Sequence, residues 1–353
     1  MPKAQKPTSH FSRDSIDSHE GYQAEPDGRS RGSKKGSKKR PMSKKKRVLI
    51  GVLSVVVLVL VAGGVTFALY INQINRNLSV DPASQVALKQ ALVTPAKGEA
   101  YYVLVVGSDT RITGEDGRSD TIMLCRIDPN TKQVSILSIP RDTKVDLPGH
   151  GTQKINAAMA FDGPAGAVNA ISAFVGVPIA HYVEIDFSGF KDIVDALGGV
   201  TVNVPANTTY DGVTVPSGKQ TLNGDQALVF VRCRKTYATG DFQRTANQRQ
   251  LLKAVSKQIL SSSPTDMPGL INSLSGSVTT DMNAQEIVAL ASSLRGMNTD
   301  TDMYTGQVPA TTATIDKISY VIPIDDQWST VRDRFVSGVV PFVTPDEQPN
   351  VTE

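Results

Sequence analysis

Residues 229–252 read VFVRCRKTYATGDFQRTANQRQLL. Ala227–Val231 is a short apolar run of the length expected for a buried strand. Side chains alternate faces along a strand, which puts Arg232 and Arg234 on one side and Cys233 on the other. After a loop, Asp241 takes the expected N-cap of a helix, and Leu251, Leu252, Val255 and Ile259 recur there at helical spacing. Arg244 and Gln248, four apart, share a face near that helix start. Planar five-donor guanidinium groups gathered in this way suit phosphate oxygens. A helix N-terminus adds its own preference for anions. One such Arg reads as a surface charge paired with an acid; three on converging elements read as an anion site.

Working outward, Tyr101–Val106, Thr121–Ile127 and Gln133–Ile139 have strand character, the last two joined by an Asp128-Pro-Asn-Thr turn and expected to be antiparallel. Pro164–Val175 is expected to be a helix, His181–Asp186 a strand, Phe187–Leu197 a helix stopped by Gly198-Gly199, and Val200–Val204 a strand. Farther on, the patterning predicts a helix near Ala284–Leu294, strands near Asp302–Val308 and Ser319–Pro323, and a last helix near Trp328–Val336. Strands alternating with helices imply an α/β fold, a mixed central sheet with helices on both faces.

The net charge of +3 conceals an asymmetry. Residues 1–47 carry 14 Lys/Arg against 5 Asp/Glu, while the remainder carries 23 against 29. That first segment has few large apolar residues and is expected to be a disordered, cytoplasmic basic tail. Residues 48–70 hold no charge and, as a helix, would reach about 35 Å, enough to cross a bilayer. The basic residues crowd its N-terminal side, which predicts a single-pass anchor in the cell membrane with the C-terminal domain extracellular. A cleaved signal peptide would have a shorter basic region. Residues 71–97 read as a stalk, 98–340 as the catalytic domain and 341–353 as a polar tail. A mildly acidic body argues against nucleic acid as a partner. Cys125 and Cys233, both near expected strand ends, would form a disulfide if their strands are neighbours; two buried thiols would look the same in the sequence.

Three more pieces place ionisable groups at strand ends, where open α/β sheets carry their sites. They are Val106-Gly-Ser-Asp109, Gly117-Arg118-Ser-Asp120-Thr and Ile139-Pro-Arg141-Asp. Asp109 and Asp120 together could hold a hard divalent cation such as magnesium. Arg118 and Arg141 would join Arg232, Arg234 and Arg244 around the anion. Two acids and five arginines are the electrostatic composition that phosphoryl transfer requires.

These motifs, with KINAA at 154–158, DALGGV at 195–200, LNGDQAL at 222–228 and the R-x-R…D-F-x-R…Q array, resemble the LytR-CpsA-Psr family. The resemblance is close over about residues 100–262 and fainter to about 340. It implies a phosphotransferase that moves a glycopolymer from a polyprenyl-pyrophosphate carrier to a muramic acid hydroxyl of peptidoglycan, leaving a phosphodiester. It further implies magnesium, or manganese in its place, on Asp109 and Asp120. Asp109, Asp120, Arg141 and Arg244 would be the catalytic set. Arg118, Arg141, Arg232, Arg234, Arg244 and Gln248 would bind the pyrophosphate, with Asp241 ordering the arginines. Gln243 and Asn247 depart from the Gly and Arg that many members carry, so Asn247 cannot take that Arg's role. The prenyl chain would need an apolar lining, for which Ile171, Phe174, Phe190, Ile193, Val194 and Leu197 are the candidates. Two other readings stay open: a hydrolase acting on the same lipid, and a non-enzymatic membrane-bound regulator or glycan-binding protein.

Overall fold

The computed structural model describes residues 44–108, 119–234, 236–237, 240–263 and 266–344. Two compact units divide the chain, Met1–Leu60 and Val61–Glu353. Helix α1 spans Lys44–Leu78, and within it Leu53–Leu78 is long and apolar enough to cross a membrane. Helix α2 covers Pro82–Ala91, with Asp81 accepting from the Ala83 and Ser84 amides at 3.0 Å.

Strands β1 (Tyr101–Ser108), β2 (Ser119–Asp128) and β3 (Gln133–Ser138) form an antiparallel meander. The small pair β4 (Lys144–Leu147) and β5 (Gly151–Lys154) precedes α3 (Ala157–Val175), which kinks at Asp162 and Gly163. Then come β6 (His181–Asp186), α4 (Phe187–Ala196), β7 (Val200–Val204), β8 (Thr208–Tyr210), β9 (Val213–Val215), β10 (Gly218–Leu222) and α5 (Gly224–Arg232). Helices α6 (Asp241–Ser261) and α7 (Met267–Leu274) lead to β11 (Val278–Thr280) and α8 (Ala284–Ser293). The described chain finishes with β12 (Met303–Gln307), the hairpin β13 (Ala310–Ile315) and β14 (Ile318–Pro323), and α9 (Asp325–Ser337).

The central sheet has the order β11-β6-β1-β2-β3-β12. β6 runs parallel to β1 and β12 parallel to β3, so the sheet is mixed, as expected from the sequence. Alternation sends Tyr102, Leu104, Val106, Ile122 and Leu124 to one face, against Leu88 of α2, Ile171 of α3 and Val331 and Phe335 of α9. Val103, Met123, Cys125, Val134 and Ile136 face the other way, against Leu252 of α6 and Leu290 of α8. A separate apolar cluster joins α4 and α5 to β7 and β10.

Four expectations are corrected. Ala227–Val231 is helix, not strand. The Asn223 side chain accepts from Gln226 N at 3.0 Å, and Gln226 Oε1 accepts from Asn223 N at 3.1 Å. This capping box starts α5, and a short apolar run fits a buried helix as well as a strand. Asp241 is the first helical residue, not the N-cap, which is Gly240 at φ 53°. The expected stalk, 71–97, is largely part of the fold. There α1 continues to Leu78, and Ile74, Leu78 and Leu88 are buried. The expected tail begins inside the core, because Phe342 and Val343 pack against Phe335 and its neighbours. Of the two states the sequence left open for the cysteines, the structure has both free and buried. Cys125 sits in the sheet under α6 and α8, where burial pushes its thiol up to about 12. Cys233 caps α5 with Sγ 3.1 Å from Thr236 Oγ1.

Candidate functional site: an arginine-lined cleft

Strands β1, β3, β6 and β12 all end at the same edge of the sheet, and β2 begins there. The start of α6 lies against this edge: Thr245 and Arg249 both reach Gln307 Oε1 at the end of β12, the latter at 3.2 Å. A cleft of about 390 Å³ opens here. It is lined by Arg141, Arg232, Arg234 and Arg244, with Asp120 and Gln248, and by Thr209, Tyr210 and Asp211 of the β8–β9 hairpin. The structure thus brings together most of the array expected from the sequence, although Arg232 and Arg234 arrive from a helix C-terminus instead of a strand.

Arg141 and Arg232 have separate partners, and Arg234 and Arg244 share Asp241. Arg141 Nη1 donates to Asp120 Oδ1, and its Nε lies 3.8 Å from Asp142 Oδ2. Lys154 Nζ holds the other oxygen of Asp142 at 3.0 Å. Arg232 lies over the Tyr210 ring, 5.6 Å from its centroid. Arg234 Nη1 is 3.7 Å from Asp241 Oδ1. Arg244 is only 6 % exposed. Among the described residues, Arg141 Nε and Arg244 Nε are buried without a hydrogen-bond acceptor. Burial, the largest effect, holds the Arg244 guanidinium below its usual range; Asp241 opposes this, and Arg141 and Arg234 reinforce it by repulsion. For Arg141, burial is outweighed by Asp120, Asp142 and Asp241, and its pKa is raised. The result is a group of cations, with Arg244 desolvated and Arg234 half exposed, that has spare donors, an arrangement that an anion completes.

Gln248 lines the cleft with its Nε2 3.4 Å from Val231 O. Asn247 has a structural role, since its Nδ2 donates to Phe230 O at 3.0 Å and ties α6 to the end of α5. Gln243 Nε2 donates to Asn247 Oδ1 at 3.0 Å, so the two departures from the family pattern are hydrogen-bonded to each other. Asp109 and Arg118 lie outside the described residues. The residues suggested as a prenyl lining are packed core. Ile171 is 1 % exposed, Phe174 stacks on Trp328 with centroids 5.0 Å apart, and Val194, Phe190 and Leu197 belong to the cluster around α4 and α5. Ile193 is also buried, at 6 % exposure. Sequence reading missed Thr209, Tyr210 and Asp211, whose only signal was an Asp211-Gly212 turn between two short β-branched runs.

For a divalent cation the described part of the cleft offers one carboxylate close to the arginines, Asp120, with one oxygen engaged by Arg141. Among the described residues no three His, Cys, Asp or Glu side chains group as a metal cage. This donor set suits magnesium, which takes one or two carboxylates and draws its other ligands from phosphate and water.

The family model LytR_cpsA_psr matches residues 65–335. A polyisoprenyl-teichoic acid–peptidoglycan teichoic acid transferase TagU of Bacillus mycoides is 38% identical over 223 residues, 61% of this chain and 72% of that protein. The protein of the same name from Oceanobacillus iheyensis is 33% identical over 321 residues, 86% of this chain and 97% of its own length. Among solved structures, that of TagV from B. subtilis superposes with a TM-score of 0.63 at 29% identity, covering 69% of this chain and 98% of that one. With this match running from within α1 to within α9, the chain belongs to the LytR_cpsA_psr family.

Proposed function

We propose that this transferase moves a glycopolymer from a polyprenyl-pyrophosphate carrier to peptidoglycan, with the pyrophosphate held in the arginine cleft. The observation that carries the reading is the convergence of Arg141, Arg232, Arg234 and Arg244 on one partly desolvated cleft. Arginine forks there would bind phosphate oxygens and neutralise charge as the phosphoryl group transfers, work that supplies most of the rate in this chemistry. Magnesium, when bound, would supply further positive charge to neutralise the phosphates. Asp120, which lines the cleft, would be one ligand, and Asp109 is the second candidate from the sequence. Asp241 keeps Arg234 and Arg244 together while the cleft is empty. The apolar helix in Leu53–Leu78 fits a single-pass anchor, and the basic residues before it favour an extracellular catalytic domain.

The direct test incubates the full chain in lipid nanodiscs with radiolabelled lipid-linked glycopolymer, peptidoglycan and magnesium. Label in peptidoglycan is the expected outcome. Label released as free glycan phosphate would establish the hydrolase instead, and unaltered lipid would favour a binding protein. Protease added to intact wall-stripped cells checks the orientation: residues 98–353 should be digested.

A further inference from the structure

Two acids line the cleft, and they are treated differently. Asp120 is neutralised by Arg141. Asp211 is exposed at the tip of the β8–β9 hairpin and, among the described residues, has no cationic partner. Its neighbour Tyr210 is 40% exposed, and its ring steadies Arg232. The hairpin itself is braced. Thr209 and Thr214 share a hydroxyl hydrogen bond at 2.9 Å across it, and Thr208 Oγ1 meets Tyr237 Oη at 2.9 Å. Asp211 at φ 51° and Gly212 at φ 78° make the tight turn, a backbone that Asn would adopt equally well. The turn thus does not require a carboxylate.

An unpaired carboxylate repels phosphate, so Asp211 is not part of the anion site. It accepts hydroxyl hydrogens, and a phenol beside it both donates and accepts. Those are the groups that recognise a neutral polyol. The cleft volume lies within the range of small-molecule sites and leaves room for more than an ion. We propose that Tyr210 and Asp211 form a sugar subsite beside the arginines, binding the hydroxyls of a pyranose ring that adjoins the pyrophosphate. This rests on the transfer reading above and adds to it the sugar subsite. The ring could belong to the donor glycan or to the peptidoglycan acceptor.

Isothermal titration on the full chain in nanodiscs, as wild type, Asp211→Asn and Tyr210→Phe, tests it. Three probes are used: inorganic pyrophosphate, a short-chain prenyl-pyrophosphoryl disaccharide, and a soluble muramic acid-containing disaccharide. Asp211→Asn should bind pyrophosphate as well as wild type or slightly better. It should lose about tenfold in affinity for one sugar-bearing probe, the effect of one charge-assisted bond. Tyr210→Phe should weaken the same probe and spare pyrophosphate. Loss on the prenyl probe assigns the donor sugar, and loss on the muramic probe the acceptor sugar. Undiminished affinity for both sugar probes in both variants would overturn the subsite. Wild type that fails to bind pyrophosphate would instead overturn the transfer reading, a separate result.

Discussion

Arg244 Nη2 lies 2.8 Å from Oδ1 of Asp241, three residues earlier on α6. The pair is unequal, because Arg244 is buried while the Asp241 side chain is 36% exposed. Asp241 also has Arg234 nearby, so it keeps a cation if Arg244 is lost. Replacing Arg244 with Met, which fills similar volume, removes a desolvated charge repelled by Arg141 and Arg234. The unliganded chain should therefore melt at the same temperature or slightly higher. Affinity for pyrophosphate should fall at least about tenfold, since each charge-assisted bond contributes about 1.5–3 kcal/mol. Thermal melts with and without pyrophosphate check both halves. Full ligand-induced stabilisation in the variant would show that the cleft is not the pyrophosphate site.

Arg249 is 4% exposed, and among the described residues it has no carboxylate within 4.0 Å; its acceptor is the neutral Gln307 amide. Burial pushes its guanidinium down to about 10. Folded and unfolded chains are both protonated below that value, so the penalty is constant through neutral pH. It shrinks only as pH climbs from about 10 towards the unfolded value of 12.5, where the unfolded state binds more protons. Arg249→Met should stabilise the chain by at least about 1 kcal/mol in urea unfolding. The gain should be flat from about pH 6 to pH 9.

Asn223→Ala removes the capping box that made α5 a helix. A loss of about 1 kcal/mol is expected. It should appear as a lower urea midpoint with an unchanged slope. Because α5 ends at Arg232, pyrophosphate affinity should fall as well.

Gly306 has no space for a side chain: an added Cβ would meet Phe342 at 2.9 Å and collide with Val343. Gly306→Ala should destabilise the chain by about 1–3 kcal/mol. Protease sensitivity near residue 340 should rise with it. A variant as stable as wild type would mean that Phe342 and Val343 are not core.

Freshly purified, unreduced chain should yield both thiols to alkylation in denaturant and neither readily in the native state, since both are buried. Failure to label under denaturing conditions would restore the disulfide.

The central strands β1, β2, β3 and β6, and β7 beside them in the chain, were legible because they carry strong alternation or β-branched runs, and His181–Asp186 and Val200–Val204 were read to the residue. Reading failed where period and length were both too short to decide. Ala227–Val231 has five apolar residues, and only the Asn223-x-x-Gln226 spacing distinguishes helix from strand. Arg141, Arg232, Arg234 and Arg244 were found through their chemistry, which survives a wrong secondary structure because chain proximity to the sheet edge is unaffected. Tyr210 and Asp211 were missed for the opposite reason: their placement depends on a hairpin folding back across the cleft, a long-range event with only a turn dipeptide to announce it. The stalk and the tail were misread because polarity was averaged over segments whose few apolar residues, Ile74, Leu88 and Phe342 among them, are the ones that dock.

Helix α1 enters its domain as core, with Ile74 and Leu78 buried against Ile271 and Ala284. An anchor that docks in this way is a strut and not a leash. The eight residues from Ile71 to Leu78 rise about 12 Å as helix, and this part of the stand-off is set by packing, with no slack chain to search with. Under the proposed anchoring and transfer, residues 71–78 give the domain no slack chain, and reach towards the wall would come from the mobility of the polymer it transfers.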